Sequence, residues 1–319
     1  MSYGMQGYLG LSKETTWGTA VTAGSFSELM SENVTATIDR FETRNVFNGI
    51  GEPDDTTGLV RIEGDTVKAL NPENMGLMLN AALGATASVS TLAAYWTHTF
   101  QCRTADIGSL SVLQPYTLEV FRDVTSAQQY AGCNASMITL ACQPNQDLRG
   151  TVHWLGKAVT NKARIAAASV LFPTTPGQPF TFDTCSFSIA GAAVDLVEGF
   201  SIEINNNLET VAALNASTAV ARIQRTGPVT VNISGSVSFT DITQYQAFVN
   251  QTEQAFSINF VKAASFACLI SLPRVVYTAF PLGMSGRGRQ VVAFEGKARV
   301  PVGSVSAIAV TLKNQTLAY

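Results

Sequence analysis

Residues 116–158 read YTLEVFRDVTSAQQYAGCNASMITLACQPNQDLRGTVHWLGKA, and residues 256–298 read FSINFVKAASFACLISLPRVVYTAFPLGMSGRGRQVVAFEGKA. The two stretches align without a gap. Tyr116, Leu118 and Val120 fall on Phe256, Ile258 and Phe260. Arg122 falls on Lys262, Arg149 on Arg289 and Trp154 on Phe294, and both stretches end in Gly-Lys-Ala. A second pair lies upstream in the same order: TGLVRIEG (57–64) matches TGPVTVNISG (226–235), and NVTATID (33–39) matches GFSIEIN (199–205). Matches in the same order along the chain are the mark of an internal duplication, the first thing to look for in a long sequence. The spacing between the two matches is longer in the first half by the length of 85–115, so that stretch reads as an insertion. The duplication divides the chain into repeat one (1–172, with the insertion 85–115), a Pro-rich linker (173–179) and repeat two (180–319).

Within each repeat the apolar residues recur every second position. Val34, Ala36 and Ile38 alternate with Thr35, Thr37 and Asp39; Val60 and Ile62 alternate with Arg61, Glu63 and Asp65. In repeat two, Phe200, Ile202 and Ile204 alternate with Ser201, Glu203 and Asn205, and Val231 and Ile233 alternate with Asn232, Ser234 and Ser236. Period two predicts half-buried strands, apolar on one face and polar on the other. One short helix per repeat is predicted, over Pro72–Leu83 with Pro at its start and over Asp241–Glu253 with Asp241 as N-cap. Two long irregular stretches, Arg44–Thr56 and Thr210–Arg225, occupy the same place in each repeat. Loops of that length in a compact domain usually bind something or order on assembly. The predicted fold class is therefore mostly β: a β-sandwich or half-barrel with one flanking α-helix per repeat, in two tandem copies.

Composition narrows the function. The 319 residues carry 20 Lys+Arg and 23 Asp+Glu, a net charge of −3, and only 13% are charged, with a mean hydropathy of +0.17. About 25% charged is usual. Low charge with positive hydropathy excludes intrinsic disorder. The near-neutral balance argues against a protein that coats duplex DNA through clustered Lys and Arg. A surface of Ser, Thr, Asn and Gln suits a chain that buries much of itself against copies. No signal peptide is predicted in Met1–Gly10, and no run reaches the ~18 apolar residues of a membrane span. The five cysteines include no Cys-x-x-Cys and read as free thiols of a reducing compartment.

Catalytic and metal chemistry find little support. His98 and His153 have no metal-ligand spacing, and His153 reads as a strand histidine. Glu63 and Asp65 lie on one face of a strand, at a spacing compatible with paired catalytic carboxylates. Their counterparts are Ser234 and Ser236, so a polar face explains both repeats and catalysis only one. Glu52, Asp54 and Asp55 lack the spacing of a calcium loop. GMSGRG (283–288) lacks the phosphate-loop lysine and reads as a turn, with Arg287 and Arg289 available for a neighbour's carboxylate. Neither a cofactor nor a metal is expected. Trp17, Trp154 and Phe294 read as arm or core positions, which disfavours a carbohydrate-binding module.

The opening GYLGLSKETTWGTA (7–20), SELMSENV (27–34) and the VRIEGD strand (60–65) resemble the tail tube proteins of long-tailed bacteriophages. The resemblance implies a non-enzymatic virion protein, made in the host cytoplasm. Its subunits would close into rings whose inner sheets form one barrel, and the rings would stack into a conduit for genome ejection. Because the chain is duplicated, three copies would make a pseudo-hexameric ring; six copies with the second domain outside the tube is the alternative. The resemblance implies Thr35, Thr37, Asp39, Arg61, Glu63, Asp65, Ser201, Glu203, Asn205, Asn232, Ser234 and Ser236 as lumen-facing, where viral DNA passes without specific binding. Assembly contacts are expected from Arg44, Asn45, Phe47, Asp54, Asp55, Leu214, Arg222, Arg225, Arg287 and Arg289. Implied partners are further copies of the chain and the tail-tip, tape-measure and terminator proteins. Competing readings are a tail terminator or decoration protein, or a carbohydrate-binding β-sandwich.

Overall fold

The structure is a computed structural model. It describes residues 6–42, 51, 54–92, 95–103, 105–107, 112–174, 177–194, 196–283, 287–317 and 319. The first half carries β1 (Tyr8–Lys13), β2 (Ser25–Ser27), β3 (Ser31–Glu32), β4 (Thr35–Glu42), β5 (Asp55–Ala69) and α1 (Met75–Ala82). It continues with β6 (Ala85–Leu92), β7 (Tyr95–Gln101), β8 (Tyr116–Phe121), β9 (Ser126–Cys142), β10 (Arg149–Gly156) and β11 (Ala158–Ala163). The second half carries β12 (Cys185–Ile189), β13 (Ala192–Ala193), β14 (Val197–Asn205), β15 (Leu208–Val211), β16 (Arg222–Arg225) and β17 (Thr230–Ser238). It ends with α2 (Thr243–Val249), β18 (Gln254–Ala263), β19 (Phe266–Ala279), β20 (Val291–Ala298) and β21 (Ala309–Asn314). The fold is mostly β, as the period-two pattern predicts.

One long antiparallel sheet runs β4–β5–β10–β9–β14–β17–β20–β19. Two smaller sets cover its apolar face. β2–β1–β8 join the N-terminal part of β9, which also pairs with β11. β13–β12–β18 join the N-terminal part of β19, followed by β21, β7 and β6. The core between the layers is continuous across both halves. Ile62, Val152, Trp154, Ile202 and Ile233 of the long sheet meet Leu118, Val120, Ile258, Phe260 and Val310 of the covering strands. At about 25 cal/mol per Å² of apolar surface removed from water, this burial is the main stabilising contribution.

The registers of the two halves run in parallel. Ala36 faces Ile62 as Ile202 faces Ile233, Trp154 faces Gly64 as Phe294 faces Gly235, and Leu118 faces Tyr130 as Ile258 faces Ile270. The final Gly-Lys-Ala has a steric reason. A Cβ at Gly156 would sit 2.9 Å from Ile62 Cγ2, and one at Gly296 would sit 2.8 Å from Val275 Cγ1 and 3.3 Å from Ile233 Cγ2. The ungapped match does slip in space along the β19–β20 ladder. Leu155 faces Asn134, but Glu295 faces Ala279 rather than Arg274. The offset is present along the whole ladder, since Val275 faces Ala298 while its counterpart Ala135 faces Trp154, and the 280–290 connection is longer than the 143–148 turn.

Several sequence expectations need correction. α1 starts at Met75, because Asn71 Oδ1 accepts from the backbone N–H of Glu73 (3.1 Å) and Asn74 (2.8 Å), holding Pro72 in a preceding turn. Seven of its eight residues are buried, so α1 is a core helix. α2 starts at Thr243, whose N–H donates to Asp241 Oδ1 (2.8 Å); of its residues only Ala247 is fully buried, and Ile242 and Val249 beside and within it are exposed. Ile38, expected on the apolar face, is 53% exposed, because β4 bulges between Ile38 and Arg40 and leaves the core. Thr210–Arg225 is not irregular: its ends belong to the β15–β16 hairpin. The insertion 85–115 contributes the β6–β7 hairpin. Phe180, just beyond the Pro-rich stretch, is fully buried; its N–H donates to Leu70 O and its carbonyl accepts from Leu148 N–H, both at 2.8 Å.

Lys68 is a charge in the wrong place. It is fully buried on β5, donates to Ser27 Oγ at 2.8 Å, and burial pulls its ammonium down to about 7 from 10.5. The aligned residue in the second half is Phe239. Between pH 7 and 10.5 the unfolded chain binds the proton and the folded chain does not, so stability rises with pH across that window and the cost is fully felt below it. Lys68→Met is expected to raise Tm at pH 7 by at least about 2 °C and to flatten the rise between pH 7 and 10. Thermal melts at several pH values measure both.

Candidate functional site

The alternation in β4, β5, β14 and β17 puts every second side chain on the face of the long sheet that points away from the core. Thr35, Thr37, Asp39, Arg61, Glu63, Asp65, Ser201, Glu203, Asn205, Asn232, Ser234 and Ser236 all lie on that face, and none is fully buried. Register brings them into rows. Thr35 faces Glu63 and Thr37 faces Arg61. Thr139, Glu203, Asn232 and Lys297 form one row across four strands and both halves. Sequence reasoning missed Thr139, Thr151, Glu295 and Lys297, which share the face. β9, β10 and β20 show the same period-two pattern, so the signal was present in MITLA (137–141), TVHWL (151–155) and VAFEGKA (292–298).

The charges on this face are spread and of both signs, and some are paired within the chain. Arg61 Nη2 lies 2.9 Å from Asp39 Oδ2, and His153 Nδ1 lies 2.8 Å from Asp65 Oδ1 across the β10–β5 ladder. Arg149 pairs with Asp147 at 3.3 Å. Carboxylates of Asp39, Glu63, Asp65, Glu203 and Glu295 stand against the cations Arg61, Arg149 and Lys297. Such a face offers a phosphate backbone no concentrated positive field. His153 is thus a strand histidine held by a carboxylate.

The expected assembly residues divide. Arg44, Asn45 and Phe47, with Glu52 of the acidic cluster, lie outside the described residues, as do 284–286 of the glycine turn. Asp54 and Arg287 are exposed, Arg222 opens β16 exposed, and Leu214 is fully exposed at the tip of the β15–β16 hairpin. Three others are engaged within the chain. Asp55 accepts from Arg40 (2.8 Å); Arg225 bonds Asp106 (3.1 Å) and the Asn206 carbonyl (3.1 Å); Arg289 bonds Glu198 (3.0 Å). Arg289 is therefore not a spare cation for a neighbour: β17 and β14 bring Ser238 and Glu198 to it first.

The β15–β16 hairpin crosses onto the first half. Val60 N–H donates to the Thr218 carbonyl (2.7 Å), and Val220 and Ile223 form a small core with Trp17 and Leu155. Trp17 is fixed by its indole N–H on the Gly132 carbonyl (3.0 Å) and by Lys157 over its ring at 4.5 Å.

These features define a mostly β protein built on one long two-faced sheet. The chain matches the family model described as phage tail tube protein over residues 4–312, nearly its whole length, and belongs to that family. It is a bacteriophage virion tail component, made in the host cytoplasm. No curated protein matches the chain.

Because the hairpin is held by its own small cluster, its release should be local. Ile223→Asp is expected to speed protease cleavage within 212–218 by at least about tenfold, the equivalent of 1.4 kcal/mol, with the far-ultraviolet circular dichroism unchanged. Limited proteolysis with mass spectrometry reads the site.

Proposed function

We propose that the chain is a fused pair of tail-tube units, that three chains close a pseudo-hexameric ring, and that stacked rings form the conduit for the phage genome. One observation carries the reading: the β9–β14 ladder. Within the chain, the last long-sheet strand of the first half pairs with the first of the second half, from Cys142↔Phe200 to Met137↔Asn205. By sequence, β14 corresponds to β4 and β9 to β19. Among the described residues β4 pairs only with β5, and the C-terminal part of β19 pairs with β20. The two outer strands of the long sheet are thus of the same kinds as the two joined at its middle.

Repeating that junction between chains removes both edges, and closure is the one arrangement that leaves a sheet without any. Ile38 and the 55% exposed Phe41, both on β4, would then gain a neighbour. Both halves share one sheet, which favours three fused pairs over six chains with their second halves outside. The polar face with its paired charges would line the channel and hold water rather than phosphate. The chain would have no reaction to catalyse, and its partners would be its own copies and other tail proteins.

Electron microscopy of the protein at high concentration tests the reading. Tubes whose end-on averages are threefold are expected; strictly sixfold averages, or monodisperse particles at every concentration, would overturn it. Lys on an edge strand blocks further pairing. Ile38→Lys is therefore expected to leave the circular dichroism of the free chain unchanged and to abolish tubes.

A further inference from the structure

The connection between β20 and β21, residues 299–308, has no counterpart in the first half, where Lys157 alone joins β10 to β11. It reads RVPVGSVSAI and turns at Gly303 (φ +79°). Val302 at its tip is 97% exposed, and Val300 and Val305 are also exposed. A solvated loop of this length seldom carries three valines, and exposed apolar clusters mark contact surfaces.

A second unpartnered apolar feature is a cavity of about 270 Å³. Its apolar wall is Phe182, Phe187, Val197 and Phe200 with the thiols Cys142 and Cys185, and Gln143, Ser186 and Glu198 supply a polar part of the lining. It lies below the ~300–1,000 Å³ usual for small-molecule sites, a size that fits a short aliphatic plug. The first half closes the corresponding place. There Arg122 donates to the Glu32 carboxylate (2.7 Å) and the Val34 carbonyl (2.8 Å), and the Tyr130 hydroxyl donates to the same carbonyl (2.8 Å). The aligned residues are Lys262, which turns away to the Gln178 carbonyl (2.7 Å), and Ile270. Loop and cavity are thus both features of the second half.

The registers place them at opposite ends of the long sheet. Cys142, Phe200, Gly235 and Phe294 lie at one level, Val197, Val237 and Val292 lie just beyond it, and the cavity is there. Asn205, Thr230 and Ala298 lie at the other end, and the 299–308 loop leaves from Ala298. Four to six residues of β20 separate the cavity from that end, roughly 13–20 Å at 3.3 Å per residue. A knob at one end and its hole at the other cannot meet within a chain. Between copies they make a heterologous, head-to-tail contact, the kind that grows without closing.

We infer that the Pro301–Val302 tip of one chain plugs the Phe187–Phe200 cavity of a second copy in the next ring. The inference rests on the stacked-ring reading and adds the contact that joins ring to ring. Leu214, exposed at the same end, is the competing plug, but its hairpin is already fastened over Trp17 and Leu155 of its own chain.

Val302→Cys brings a third thiol to Cys142 and Cys185. Assembled tubes of this variant, oxidised with diamide, are expected to give a denaturing-gel ladder running beyond trimer. Peptide mapping should place the bond at Cys142 or Cys185, and the Cys142→Ser/Cys185→Ser background should abolish it. A closed trimer, a bond joining the introduced thiols of two copies, or a ladder only from Leu214→Cys would overturn the inference. As a second measure, Val302→Asp should lengthen the lag and cut tube length at least tenfold while threefold single rings persist. Normal tubes from Val302→Asp would overturn the plug and leave the tube reading standing. Absence of tubes and rings from the unaltered chain would overturn both.

Discussion

The rest of the structure depends on β9. Its 17 residues serve two layers: the N-terminal part pairs with β8 and β11, the C-terminal part with β10 and β14. The change of partners occurs near Gly132, whose φ of +69° lets the strand turn between layers. A Cβ there would meet Lys157 Cβ at 2.8 Å and the Trp17 indole nitrogen at 3.0 Å, so a side chain would also displace the N-terminal arm. The same residue's N–H donates to Glu14 Oε1 (2.8 Å), which in turn accepts from the Thr117 hydroxyl (2.7 Å). One strand therefore fixes the join between halves, the crossing between layers and the seat of the arm.

A chain with so few charges uses its buried ones carefully. Glu119 is fully buried, accepts from the Tyr8 hydroxyl (2.7 Å) and pairs with Lys162 (2.8 Å). Burial and that carboxylate push the Tyr8 hydroxyl up to about 12. These pairs tie β1 to β8 and β11, where removing one partner would leave the other desolvated and unmatched. Lys68 is bonded to a hydroxyl rather than a carboxylate and so costs rather than contributes. On the outward face the charges instead lie side by side in water, where individual pairs are worth little. Their value there lies in leaving no strong field.

Much of this was legible in the sequence because period two is a local property. The alternation around Ile62 and Ile202 placed the polar face, and the glycines of Gly-Lys-Ala kept their steric role in both halves. What failed was set by distant contacts. Ile38 obeys the alternation yet is exposed, since β4 bulges just after it and leaves the core. Arg289 looked unengaged because Glu198 is far from it in sequence. The β15–β16 hairpin was hidden because VAALNASTAV has no strong turn signal, and its strands are held by Trp17 and Leu155 from the other half. The 299–308 loop was visible as the point where the match ends after Gly-Lys-Ala, but its exposure was not.

On the fused-pair reading the two halves are free to diverge, and their differences follow one direction. The first half spends Arg122 on Glu32 and closes the end of its sandwich; the second loses that contact and keeps an apolar cavity. The first half joins β10 to β11 through one residue; the second extends the same connection into an apolar loop. In a ring of six identical units every axial contact would be made six times. In three fused pairs, a knob and hole confined to the second halves would be made three times, with the first halves left to shape the channel and the seam. Fewer axial contacts would each have to be stronger, and apolar burial in a fitted cavity supplies that strength without adding charge to a surface that carries little.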